Sequence, residues 1–291
     1  SKSAMSLRVA GWDLTDNDIA SFRTTNGTSS LNAGFGTAGW VTRRMTTGMA
    51  LARNPTTGSV MLVGTEATNE IRFEPNIEGT FVRVLVAIAN GTTGAEIAVT
   101  DMNEEHLDAA QSGVGTAYQD GHVLQAERDK SIGDPRGIAF NASGTRAYVT
   151  GMGSGNVVVI NPLTGQRLGG SGYTIDLGSP TPGPTGIVHH ATLNRAYVVN
   201  KFASNVMTID TTTLGAETVI GTHDFYDPTP AFINDGRDDF YDTHQNSGLG
   251  QIACASCHID GRTDQLAWDL GNPQGVLKPT VQVNPNSPSA G

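Results

Sequence analysis

Two stretches of this chain are copies of one another. The first runs Pro135-Arg136-Gly137-Ile138-Ala139-Phe140, Arg146-Ala147-Tyr148-Val149-Thr150, Asn156-Val157-Val158-Val159-Ile160-Asn161. The second runs Pro184-Thr185-Gly186-Ile187-Val188-His189, Arg195-Ala196-Tyr197-Val198-Val199-Asn200, Asn205-Val206-Met207-Thr208-Ile209-Asp210. Each landmark of the second lies 49 positions after its counterpart, as Pro184 does after Pro135. A fixed period of this size means stacked structural units, each unable to bury its apolar surface alone.

Each unit reads as three short strands, because β-branched runs are separated by Asn, Gly, Ser or Thr. A weaker copy is Met49-Ala50-Leu51-Ala52, Ser59-Val60-Met61-Leu62-Val63, Asn69-Glu70-Ile71-Arg72-Phe73, and Val9-Ala10-Gly11 with Asn17-Asp18-Ile19-Ala20 suggests a fragment of another. Phe81 to Ala89 and Glu96 to Met102 are further strand-like stretches, and residues 103–130 read as a looser, partly helical insertion. The 36 glycines fit a turn-rich β protein, since tight turns need residues that accept positive φ. Radial stacking of such units gives a β-propeller; a β-sandwich is the plainer alternative. The Tyr-Val strand followed by Asn-Val-x-x-Ile-Asp resembles the YVTN family of propeller repeats, over roughly residues 9–210. Four to five blade-like groups are fewer than most propellers of that family use. The expectation is therefore that a longer chain, or a second subunit, completes the ring and protects its edges.

The pattern changes after Ile220. The expected division is blades over 1–222 and a second segment, mostly irregular or helical, over 223–291. That segment holds the only two cysteines, in Cys254-Ala255-Ser256-Cys257-His258. Two cysteines three apart exclude a disulfide framework. Cys-x-x-Cys-His is the attachment signal for haem c. Two thiols add across the porphyrin vinyl groups, and the adjacent histidine, here His258, supplies the proximal imidazole to iron. Zinc would need four ligands, with His189, His190, His223 or His244 completing the set. A thioredoxin-like pair would need a βαβ context, which is not visible here.

The flanks extend the pattern: Gly236-Arg237-x-x-Phe240-Tyr241-Asp242, Ser247, Gly250, then Asp260-Gly261-Arg262-Thr263-Asp264 and Trp268-Asp269-Leu270-Gly271. Residues 232–275 resemble the first haem segment of the di-haem cytochrome c peroxidase superfamily, in particular its surface or periplasmic members with YVTN repeats before the haem domain. The resemblance implies one covalent haem c on Cys254, Cys257 and His258, with Trp268 near it as a packing indole or on an electron path. It also implies a periplasmic or cell-surface location, since thioether formation in those systems occurs outside the cytoplasm. The chain departs from the family in having one such motif and no methionine after it, so peroxidase activity is in doubt for this chain by itself. A distal ligand must then come from elsewhere. His244 and His223 are candidates, as are His189, His190, Met207 and Met152. The Asp-rich stretch from Asp235 to Asp242 could offer oxygen ligands to Ca²⁺, but lacks EF-hand spacing. A solvated acidic face is its default reading.

With 28 acidic and 18 basic residues the net charge is −10, which disfavours nucleic acid and anionic lipid as partners. The apolar run from Val84 to Ala89 is far short of the ~18 residues a membrane span needs. Three functions follow as expectations: electron transfer by a haem c on a propeller scaffold with a redox partner protein; a cytochrome c peroxidase-like oxidoreductase whose second haem lies outside this chain; and an interaction protein with a structural haem.

Overall fold

The computed structural model describes residues 17–67, 82–110 and 123–262. Most of it is β-structure in repeated four-stranded antiparallel sheets, arranged as propeller-like blades, with a small helical region at the C-terminal end. The first blade is β5 (Thr47–Arg53), β6 (Val60–Ala67), β7 (Val82–Ala89) and β8 (Glu96–Asp101). The second is β9 (Pro135–Phe140), β10 (Ala147–Gly151), β11 (Asn156–Ile160) and β12 (Ile175–Asp176). The third is β13 (Pro184–His190), β14 (Arg195–Asn200), β15 (Asn205–Asp210) and β16 (Thr218–Asp224). Their first strands lie side by side, β9 between β5 and β13. Among the described residues the sheets do not close a ring. Before them, β1 (Asn17–Ala20) pairs with β4 (Trp40–Thr42), and β2 (Phe22–Thr25) with β3 (Thr28–Leu31).

The three strands read from each 49-residue copy are therefore present, and each blade gains a fourth. The third strand of the first blade is Val82–Ala89, paired along the whole of β6, and Asn69–Phe73 lies outside the described residues, as does Val9–Gly11. Strand β16 runs to Asp224, so β-structure continues past the expected change of character and includes His223. Between the first two blades stand the helices α1 (Glu104–Ala110) and α2 (Gln125–Arg128).

Turn chemistry repeats with the blades. Asn54-Pro-Thr-Thr-Gly58, Asn90-Gly-Thr-Thr-Gly94 and Asn161-Pro-Leu-Thr-Gly165 each join two strands. The asparagine carboxamide oxygen accepts from backbone amides two or three residues on, at 2.9–3.1 Å. The closing glycines have φ of 72°, 72° and 78°, which other residues adopt at a cost.

Apolar packing joins the blades. Met61, Val63, Val84, Val86 and Ile88 of the first meet Ala147, Val149, Val158 and Ile160 of the second. Tyr148, Val157 and Val159, on the second blade's other face, meet Ala196, Val198 and Ile209 of the third. Strands β10 and β11 are buried at every residue, which explains their unbroken apolar runs. The N-terminal pair covers the first blade with Ile19, Phe35, Val41 and Met45. Among the described residues, no segment covers the third blade's far face in this way. Val188 and Val199 are 60% and 48% exposed there.

Candidate haem-attachment site

After β16 the chain forms α3 (Ala231–Tyr241), α4 (Thr243–Asn246), α5 (Cys254–Cys257) and a 3₁₀ turn, Ile259–Gly261. Prolines at 228 and 230 set the start of α3, because a proline disfavours helix in the residue before it. Asp242 ends α3 and begins α4, its carboxylate accepting from the His244 and Gln245 amides at 2.8 and 3.0 Å. This is ordinary N-capping. The stretch from Asp235 to Asp242 is thus helix and helix cap. Partial burial and then the nearby Asp242, Asp239 and Asp235 push the Asp238 carboxyl upward.

The segment lies across one end of the blades. Its contacts fall where second strands turn into third strands and where first strands begin. On the first blade, Gln251 Nε2 donates to the Val82 carbonyl at 2.6 Å, and Asn103 Nδ2 donates to Gln251 Oε1 at 3.2 Å. On the second, the Thr243 amide donates to the Gly153 carbonyl at 2.9 Å, and Ser131 Oγ donates to the Leu249 carbonyl at 2.6 Å. On the third, Arg237 donates to the Phe202 carbonyl at 3.2 Å and lies over the Phe202 ring, whose centroid is 4.6 Å from that of Tyr241. Gly250 completes the fit. A Cβ there would collide with the Arg128 carbonyl.

The motif itself is a single helical turn on this platform. The His258 amide donates to the Cys254 carbonyl at 3.0 Å, and the Ala253 amide to Ser256 Oγ at 3.0 Å. Ala255 and Ser256 are buried toward the blades, while Cys254 and His258 are exposed and Cys257 is half-buried. Neither cysteine is in a disulfide. Cys254 and Cys257 are three apart on a helix and so lie on neighbouring positions of one face. Among the described residues the His258 ring has no hydrogen-bond partner; its ring neighbour is Phe240, at 6.3 Å between centroids. Phe240 and Ile233 are seven apart on α3, hence on one face, and Phe232 and Ile233 are 74% and 44% exposed. Among the described residues, an exposed Cys254, a half-buried Cys257, an exposed imidazole and exposed apolar side chains on α3 are of the chemistry a covalently held haem would use.

His244 and His189 are hydrogen-bonded to the blades, and His223 and His190 lie on exposed positions of the third blade. His244 Nε2 lies 2.9 Å from the Ser131 carbonyl, which can only accept, so that nitrogen carries the proton. Its Nδ1 lies 4.0 Å from Asp129. His223 sits opposite Val206 at the edge of the third blade, its ring edge-on to Phe225. His189 stacks on Tyr148, with Nε2 2.9 Å from Thr211 Oγ1, and burial lowers its pKa. His190 is exposed, as the alternation of a strand requires. Met152 is buried, and Met207 packs on the core between blades. The structure therefore does not gather the histidines that a zinc site would need. Among the described residues no group of three or more His, Cys, Asp or Glu converges on a metal position. Trp268 lies outside the described residues.

Sequence reasoning passed over His106, Asp134 and Ser256. His106 is buried beneath the segment, Nε2 3.2 Å from Ser131 Oγ, and burial followed by the Arg167 charge drives its pKa down to about 3. Asp134 is fully buried and accepts from Ser256 Oγ at 2.9 Å; burial raises its pKa to about 6. One signal in the sequence could have marked it. Position 134 corresponds in the repeat to Gly183, so the second blade departs from the third there.

No protein-family model matches this chain, and no curated protein matches it. Among solved structures it is similar to Kuenenia stuttgartiensis hydrazine synthase at 14% identity and a TM-score of 0.41, over 60% of this chain and 47% of that one. It is similar to the Pseudomonas aeruginosa periplasmic gluconolactonase PpgL at 14% identity and a TM-score of 0.37, over 62% and 43%. A third is the Myceliophteria thermophila Cps50 (Swd1) β-propeller domain, at 10% identity and a TM-score of 0.33, over 67% and 44%. The chain spans less than half the length of each. These likenesses carry no weight for function, and the description of the fold rests on strand topology.

Proposed function

We propose that this chain is a c-type haem protein that transfers electrons, with YVTN-type blades as the scaffold for its attachment turn. The observation that carries the reading is the Cys254–His258 turn. Its spacer residues are buried against the blades, and Cys254 and His258 lie on the open side. Haem supplies a redox-active iron. The chain supplies Cys254 and Cys257 as thioether donors, His258 as the proximal ligand, and the apolar side chains of α3 beside it. Burial of one face of the turn fixes which side a porphyrin can approach. The acidic surface favours a basic redox partner, with association that slows as salt screens the attraction. A periplasmic or cell-surface location goes with thioether formation.

The experiment is expression in a bacterium with c-type haem maturation, with and without an export signal. The reading predicts red protein carrying one haem in the exported form, and colourless protein after Cys254→Ser with Cys257→Ser. An exported wild type without haem would end it. A second reading, a peroxidase-like haem oxidoreductase with its other haem outside this chain, draws support from the hydrogen bond that holds His244 to the Ser131 carbonyl. Turnover of peroxide with an electron donor separates the two.

A further inference from the structure

We propose that Asp134 is the positioning residue for the haem-attachment turn, holding it through the hydroxyl of Ser256, the spacer residue next to Cys257. This rests on the reading of the turn as a haem site. Three observations support it. First, the loop that carries Asp134 is fixed on all sides. The Ile132 amide donates to Asn103 Oδ1 at 2.8 Å, the Gly133 amide to Ser154 Oγ at 3.0 Å, and the Met152 amide to the Asp134 carbonyl at 2.9 Å.

Second, the backbone at this point demands a left-handed conformation. The third blade meets the demand with Gly183, at φ 68°. The second blade has Asp134 at the equivalent position, at φ 47°. A side chain is tolerated there only against a steric cost, so the carboxylate has a use that glycine could not serve. Third, the carboxylate is fully buried, and its Oδ2 has no hydrogen-bond partner. Burying a charge that way is a poor route to stability, since apolar contacts would hold the turn at lower cost. What an apolar contact cannot do is set direction. Asp134 Oδ1 accepts from Ser256 Oγ at 2.9 Å, and Ser256 Oγ accepts from the Ala253 amide at 3.0 Å. The first bond ties the turn to the second blade's loop, and the second ties the serine hydroxyl to the turn's own backbone, so that together they restrain rotation of the turn against the blades. Rotation decides whether Cys254 and His258 point outward.

The test compares Ser256→Ala, Asp134→Asn and Asp134→Ala in the full chain before haem attachment. Amide hydrogen exchange is followed for residues 253–258 and for strands β10 and β11, with the alkylation rate of the half-buried Cys257. Ser256→Ala should raise exchange in the turn and alkylation at Cys257 at least tenfold and leave both strands unchanged. Asp134→Asn, whose amide oxygen still accepts, should match the wild type, and Asp134→Ala should match Ser256→Ala. Unchanged exchange in Ser256→Ala would overturn the proposal, as would equal loss in Asp134→Asn. Loss of protection in β10 and β11 along with the turn would also overturn it, showing a role in the blades at large. Haem content of the matured wild type is measured in parallel. If that protein carries no covalent haem, the functional reading fails, while the exchange data still decide whether Asp134 positions the turn.

Discussion

The blades and the C-terminal segment are held by different forces. Between blades the contacts are apolar and continuous, with Val63, Val84, Val86, Val149, Val158 and Ile160 almost wholly removed from water. The C-terminal segment buries little: Leu249, Ala253 and Ala255 are its buried apolar residues among those described, and α3 buries none. Directional hydrogen bonds to each blade locate it instead, through Gln251, Thr243, Ser256 and Arg237. Apolar burial scales with area and supplies most of the stability, whereas hydrogen bonds contribute less net energy but define orientation. The scaffold is built for stability and the site for geometry.

That contrast can be broken by substitution. The largest effect is expected in the core between the first two blades. Ile160→Ala removes a fully buried side chain, and should cost about 2–5 kcal/mol in global stability, read from chemical denaturation. The hydrogen-bonded segment should respond locally. Gln251→Ala leaves the Val82 carbonyl without its buried donor, at about 1–3 kcal/mol. Exchange protection should fall near residues 248–258 while the blade strands keep theirs. Equal loss in both regions would mean that the segment and the blades are one cooperative unit.

Acid separates two buried groups beneath the segment, and their signs differ. His106 is held near 3, below its ordinary value of 6.5, so the folded state resists its protonation. Its contribution is present above about pH 6.5 and is lost as pH falls toward 3, in total roughly 4–5 kcal/mol. Asp134 is raised from 3.8 to about 6, so its contribution is present below about pH 4 and is lost as pH rises through 6, about 3 kcal/mol in all. The two windows overlap with opposite signs, so Asp134→Asn should remove the opposing contribution between 3.8 and about 6 and leave a stability that rises with pH there under His106 alone. Stability curves of the two proteins that run parallel from pH 4 to 6 would contradict this assignment.

The smallest effect tests the repeat. Val199 corresponds to Thr150, but Thr150 is fully buried between blades and Val199 is 48% exposed on the third blade's far face. Val199→Ser should change stability by no more than about 0.5 kcal/mol. A larger loss would mean that something covers that face in solution.

The second and third blades were legible because the repeat preserves both strand pattern and turn positions. The Cys254-x-x-Cys257-His258 spacing was legible as a local pattern, and what it attaches is a matter of proposal. Their fourth strands were not. Strand β12 has two residues, and β16 is exposed throughout, so neither carries an apolar period. The first blade's third strand was misplaced because residues 68–81 interrupt the period between β6 and β7. The polar anchors were hidden for another reason. Asp134 and Ser256 are 122 positions apart, and a hydrogen bond between single side chains leaves no periodic trace. The departure from Gly183 to Asp134 was visible, but only the fold shows that both need a left-handed backbone.

Covalent attachment at the turn is the claim on which the functional account stands. Intact mass of the exported protein under denaturing conditions tests it most directly. The account predicts one species, heavier than the polypeptide by one haem, and the unmodified polypeptide alone for the protein with serine at both 254 and 257. Unmodified polypeptide from the exported wild type, or haem that separates from it on denaturation, would contradict the account.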